Sequence, residues 1–194
     1  MFEDMTFRLI FAALAILLYV NHHVLHRRPP SKTKAAQASP LETWLVFFLF
    51  VWTGSLALYV TGLGLSFYQL PLPLWARWTG VGLMLLCVPM SQWIYHTLGV
   101  HFSKKLELRG DHRLVREGPY RYVRHPMYTT LFVCALATCL VTASALTVAS
   151  AVVVATLMLV RIKKEETMLI TRFGDSYRAY MRTTGALVPK LHMS

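Results

Sequence analysis

Four apolar regions, separated by segments where charge and proline collect, set the pattern of this chain. The first covers roughly Met5 to Leu25 and holds only Arg8 near its start. The second runs from about Glu42 to Ser66, with Trp44 placed as an interfacial anchor. The third runs from about Leu74 to Leu98, with Trp75 and Trp78 at its outer end and a mid-helix kink expected at Pro89. Each is long enough for a bilayer core, which asks for about 20 residues. The fourth, Tyr128 to Val160, is too long for one span and short for two. Thr142-Ala143-Ser144 is placed to reverse the chain, which predicts a hairpin of two helices of about 15 residues. Each would be only ~23 Å long at the helical rise, less than the ~30 Å hydrocarbon core. The second of the pair is expected to run past the membrane surface to about Arg172. The pattern therefore predicts an all-α polytopic integral membrane protein of about five transmembrane helices, with helices 4 and 5 as a short hairpin.

Charge assigns the sides. Of 20 Lys and Arg against nine acids, all but Arg8 and Arg77 fall in 21–40, 100–126 and 161–194. With five helices these three segments share one face, the cytosolic one by the positive-inside rule, with the N-terminus outside and the C-terminus inside the cytoplasmic membrane. The net charge of +11 is thus a topology signal rather than a nucleic-acid footprint. Tyr68 to Leu74 reads as a short external turn without charge, and Ser91, Gln92 and His96 as polar groups facing other helices or a cavity. Phe173 to Ser194, with Tyr177 and Tyr180 among arginines, reads as an amphipathic interfacial helix and a turn at Pro189. Residues 1–194 are expected to form one domain, 1–99 supplying three spans and 100–194 the chemistry.

Cys87, Cys134 and Cys139 lie in apolar stretches and read as buried thiols. His22, His23 and His26 have no accompanying Cys or carboxylate, so no metal site is expected. Met5 to Val20 lacks the basic start and small-residue cleavage site of a signal peptide.

Two polar clusters sit at membrane boundaries. Gly118 to Tyr128 reads GPYRYVRHPMY. Gly118-Pro119 signals a turn. His125 precedes a proline and is pushed towards extended backbone, and Pro126 suits the first position of a helix. The opening amides of that helix, at Met127 and Tyr128, carry positive partial charge and suit an anion or carboxylate. The plainer reading is a loop whose Arg and Tyr anchor the next helix at the headgroups. The second cluster, Arg161 to Glu166, reads RIKKEE. Arg161 and Glu165 are four apart and share a helix face, as a simple salt bridge or as part of a site.

His112-Arg113-Leu114-Val115, then Gly118 to Tyr128, Arg161 to Glu165, and Phe173-Gly174 with Tyr177 and Tyr180 together resemble the isoprenylcysteine carboxyl methyltransferase family. The small five-helix form is similar to its prokaryotic, archaeal or bacterial members. The resemblance implies a membrane enzyme that takes a methyl group from S-adenosyl-L-methionine and places it on the carboxylate of a lipophilic, prenylcysteine-like substrate arriving from the bilayer. It implies that His112, Arg113, Leu114, Val115, Gly118, Tyr120, His125, Pro126, Met127 and Tyr128 line a cytosolic cofactor pocket with Glu165. Tyr120 and His125 would share one hollow with Glu165, and Arg161 would face the substrate carboxylate as the catalytic, substrate-binding residue. Eukaryotic members carry a Gln at the position of Lys105. A phospholipid amine N-methyltransferase and an NADPH-dependent membrane reductase are the alternative readings, and a non-enzymatic scaffold is a third.

Overall fold

A computed structural model describes residues 2–25, 40–63, 69–98 and 114–190 of the 194-residue chain. Among them are the helices α1 (Phe2–Leu25), α2 (Pro40–Thr61), α3 (Leu74–Leu98), α4 (Pro126–Thr142), α5 (Ala145–Phe173) and α6 (Asp175–Thr183), with a 3-10 turn at Gly118–Arg121. Two isolated backbone bridges, Gln69 with Ser144 and Val123 with Gly185, are the β-type pairing among the described residues. The molecule is an all-α polytopic membrane protein. By length and composition α1, α2 and α5 can cross a membrane, while α4 is apolar but shorter.

α3 has the bounds expected of the third apolar region and continues through Pro89, though by length and composition it is not among the helices able to cross a membrane. The second stops short of Ser66. Gly62 adopts a positive φ and its N–H closes on the carbonyls of Leu58 and Tyr59, which ends α2 at Thr61. The hairpin reversal falls where it was expected. Ala143 takes a left-handed conformation with its N–H on the Cys139 carbonyl, and Ser144 is extended. The two arms are unequal, however, at 17 and 29 residues. The longer arm spans about 44 Å at the helical rise, enough to carry Arg161 to Glu166 to the membrane boundary.

Small residues let the helices approach closely, as packing without a hydrophobic drive between helices requires. A Cβ on Gly80 of α3 would stand 2.8 Å from the Ala137 carbonyl of α4. Ser55 of α2 and Thr147 of α5 are buried and hydrogen-bonded to each other at 3.2 Å. One apolar cluster joins α1, α2, α3 and α4 around Phe11, Tyr59, Met84 and Val141. Another joins α2 and α5 around Trp52, Val154 and Met158.

Contacts sort the chain into two ends. At one, Leu70 donates its N–H to the Ala143 carbonyl and Arg77 pairs with Asp4 at 2.8 Å. The starts of α1 and α3 therefore meet the α4–α5 reversal. At the other, Asn21 bonds Ser91 (2.9 Å) and Gln92 (3.0 Å), and the start of α4 meets the end of α5. Ser91 and Gln92 of α3 thus meet α1, as the cost of polar groups in hydrocarbon requires, whereas His96 is exposed.

The amphipathic helix α6 forms as expected, and Tyr177 and Tyr180 are buried against protein. Tyr180 meets the polar connection before α4 through the Tyr120 carbonyl and the Arg116 guanidinium.

Candidate functional site

The site is built around the start of α4. Gly118 has a positive φ, and a Cβ there would run into Thr97 of α3. Only glycine lets the turn lie this close to α3. The turn delivers Tyr120, and the chain reaches His125 (φ −124°, ψ 60°), which opens α4 without a side-chain cap, with Pro126 in its first turn. Pro126 sits where local sterics favour it, but His125 is not the extended residue its place before a proline predicts; its ψ falls short of that region. The uncapped amides at Met127 and Tyr128 keep their positive partial charge.

Opposite this helix start lies the end of α5. The Tyr128 hydroxyl donates to Glu165 Oε2 at 2.9 Å and accepts from Arg161 Nε at 3.1 Å. One phenol therefore joins the two α5 residues that sequence spacing places on a common face. Arg161 Nη1 also lies 3.7 Å from Glu42 Oε1 of α2. Burial holds the Tyr120 hydroxyl well above its ordinary pKa, and the negative charge of Glu165 adds in the same direction, ahead of Tyr180 and Tyr95. Tyr120 is thus a neutral O–H at neutral pH, within electrostatic range of Glu165.

A second network lies behind the first. Arg124 donates to Glu166 Oε1 through Nη2 at 2.6 Å and Nε at 3.0 Å. His125 Nε2, on a buried ring, reaches the same oxygen at 3.2 Å. Arg124 also reaches the Thr184 carbonyl. The backbone N–H groups of Arg124 and His125 bond the carbonyls of Gly185 and Ala186 at 2.8 and 3.0 Å, and Thr129 bonds Leu187 at 2.8 Å. Tyr180 donates to the Tyr120 carbonyl, and Arg116 stacks over the Tyr180 ring. Tyr180 is pushed up to about 12, first by burial and against the pull of Arg124 and Arg116. Tyr177 is raised by burial and then by Glu166, with Arg124 opposing. The tail thereby forms a floor under the start of α4.

The structure brings Tyr128, Arg161 and Glu165 into direct contact and sets Tyr120 near them. His125 stands on Tyr128, with ring centroids 5.7 Å apart, but its imidazole is engaged by Glu166, one residue beyond Glu165. Pro126 is buried, and Leu114, Val115, Gly118 and Met127 are half-buried. His112, Arg113 and Lys105, like His26 of the histidine-containing linker, lie outside the described residues. Among the described residues no three metal-ligating side chains cluster. Sequence reasoning missed Glu166 and Glu42. The doubled Glu in RIKKEE is the one local signal for the former; the latter carries none beyond an acid at the start of an apolar run.

Comparison with known proteins bears on the same region. Residues 80–171 match the model of the isoprenylcysteine carboxyl methyltransferase (ICMT) family. A protein-S-isoprenylcysteine O-methyltransferase of Dictyostelium discoideum is 32% identical over 99 residues, covering 50% of this chain and 42% of that protein. Its Schizosaccharomyces pombe counterpart is 38% identical over 80 residues, covering 41% and 34%. The chain spans less than half the length of these relatives. A solved structure of the eukaryotic intramembrane Ras methyltransferase ICMT shares the fold, with a TM-score of 0.62 at 20% identity, over 92% of this chain and 64% of that one. The family resemblance carried by the motifs is borne out. The archaeal or bacterial assignment is not, since these relatives are eukaryotic.

Proposed function

From the family match over residues 80–171, we propose that this membrane protein is an S-adenosyl-L-methionine-dependent O-methyltransferase acting on the carboxylate of a lipophilic, prenylcysteine-like acceptor. The observation that carries the reading is the Arg161–Tyr128–Glu165 relay held against an uncapped helix start. The whole chain acts as one domain, with this end cytosolic, the N-terminus outside and the acceptor arriving from the bilayer.

The residues fit the cofactor. It is a zwitterion with an added sulfonium charge, and the site offers the matching set: the amide dipoles at Met127 and Tyr128, which have no side-chain cap, for a carboxylate, the Glu165 carboxylate for cationic or hydroxyl groups, and Tyr120 with half-buried Leu114 and Val115 for an adenine. His112 and Arg113 complete this set by resemblance. When bound, S-adenosyl-L-methionine supplies a methyl group that passes to a carboxylate oxygen as the carbon–sulfur bond breaks and its electron pair stays on sulfur.

The chain's own part is placement. Arg161 can hold a carboxylate by two parallel N–H bonds, and Tyr128 fixes its angle through Nε. Tyr128 also fixes Glu165, so acceptor and donor halves are registered through one side chain. Glu166 and His125 act behind them, as positioning groups for the start of α4. An acceptor carboxylate, with a pKa near ~3.5, is already ionised at neutral pH, so no side chain need remove a proton. Holding both partners in line can supply roughly 7–11 kcal/mol of the barrier. The apolar surfaces of α4 and α5 exclude water, which strengthens each charge interaction.

Calorimetric titration of the detergent-purified protein with S-adenosylhomocysteine and, separately, NADPH tests the reading. Tight binding of the first and none of the second is expected; binding of NADPH alone would replace this reading with the reductase. Arg161→Ala should abolish turnover of a prenylcysteine analogue and leave S-adenosylhomocysteine affinity nearly intact. Loss of that affinity would move Arg161 to the donor half.

A further inference from the structure

Glu42 lies in the first turn of α2, on a different helix from the rest of the site. Its Oε1 stands 3.7 Å from Arg161 Nη1, with side-chain exposures of 29% and 14%. That separation is an ion pair beyond normal hydrogen-bond length. Elsewhere at this end the carboxylate–guanidinium contact is tight, at 2.6 Å between Glu166 and Arg124. The looser pair involves the guanidinium assigned above to the acceptor.

We propose that Glu42 is the resident counter-carboxylate of Arg161, holding the place that the acceptor's carboxylate takes, so that acceptor binding is a carboxylate exchange and Glu42 sets acceptor affinity and selectivity. This rests on the methyltransferase reading. Three physical points carry it. An arginine at the membrane boundary needs a counter-charge when no acceptor is present. An incoming carboxylate can form two bonds of about 2.7–2.9 Å with the guanidinium, closer than the 3.7 Å approach of Glu42. A displaced Glu42 does not become stranded, because it sits in the first turn of α2, at the positive end of that helix dipole, and is partly exposed. Two carboxylates on one guanidinium repel, so the exchange is mutually exclusive. A neutral lipid offers no charge with which to expel Glu42, so the same residue rejects such acceptors.

The test uses the full-length protein in nanodiscs. The KM for a farnesylcysteine analogue and the Kd for S-adenosylhomocysteine are compared for wild type, Glu42→Gln and Glu42→Asp. Removing the competing charge should lower KM about two- to fivefold, the scale of a half-exposed ion pair, with the S-adenosylhomocysteine Kd unchanged. Glu42→Asp, which keeps the charge, should stay near wild type. A KM that rises or does not move in Glu42→Gln overturns the proposal, as does loss of S-adenosylhomocysteine binding, which would make the pair structural. Failure of the underlying reading is separate and shows in wild type, as absence of ester formation.

Discussion

The two ends of the bundle each set an arginine against a carboxylate and a tyrosine, and they use it in opposite ways. At the α4–α5 reversal, Arg77 is 7% exposed and its guanidinium is consumed by the chain. Nε donates to the Val141 carbonyl (3.1 Å), Nη1 to Asp4 (2.8 Å) and Nη2 to the Tyr59 hydroxyl (2.9 Å), and the group lies 4.0 Å over the Phe7 ring. One side chain thus ties α1, α2, α3 and the last turn of α4. At the other end Arg161 meets Tyr128 within hydrogen-bond range and Glu42 beyond it. The first arrangement is a clamp within the fold; in the second, the 3.7 Å contact to Glu42 is one that a better ligand can replace.

Breaking the clamp should have the largest effect. Arg77→Ala strands the Val141 carbonyl, the Tyr59 hydroxyl and a partly buried Asp4, and should cost roughly 3 kcal/mol of stability. The measurement is thermal unfolding in detergent, with S-adenosylhomocysteine affinity of the folded fraction unchanged. A loss of affinity at unchanged stability would erase the distinction between the ends. Glu166→Gln comes next. It weakens charge-assisted bonds to Arg124 and His125, worth about 1.5–3 kcal/mol each when charged groups are involved, and should undock the tail. Hydrogen exchange should accelerate across 118–129 and 175–187 while 74–90 stays protected.

Tyr128→Phe is smaller and sharper. It removes the hydroxyl that links Arg161 to Glu165 and should lower kcat/KM about tenfold, the scale of a hydrogen bond worth about 1.4 kcal/mol. Stability should barely change, since the ring stays in place. The smallest effect is on pH. Tyr180 is raised to about 12 from an ordinary value near 10, so the folded state holds its proton more tightly than the unfolded one. The resulting stability is complete below about pH 10 and is lost as pH rises through about 12. Tyr180→Phe should flatten that alkaline limb in a pH series of melting temperatures.

These contrasts also mark what the sequence could show. The bounds of α3, the reversal at Ala143, the placement of Pro126 and the continuation of α5 to Phe173 were all legible, because hydropathy, proline sterics and helix length act locally. Arg161 and Glu165 were legible as one face. Their joining through Tyr128 was not, nor was the pairing of Glu166 with Arg124 or of Glu42 with Arg161, because each partner comes from a distant helix and no periodicity encodes it. Arg77 was legible only as one of two basic residues outside the basic segments. Its role depends on Asp4, which reaches it through the packing of α1 on α3. The amphipathic helix of the tail was legible, but its docking on Tyr120 and Arg116 was not, because an amphipathic pattern does not reveal which surface it will cover.

The most direct test is transfer of the tritiated methyl group of S-adenosyl-L-methionine by the nanodisc-embedded wild type, offered both a farnesylcysteine analogue and an amine-bearing phospholipid. The account predicts label in a base-labile ester of the farnesylcysteine analogue, absent with Arg161→Ala. Label on the phospholipid amine, or equal ester formation by Arg161→Ala, would contradict it.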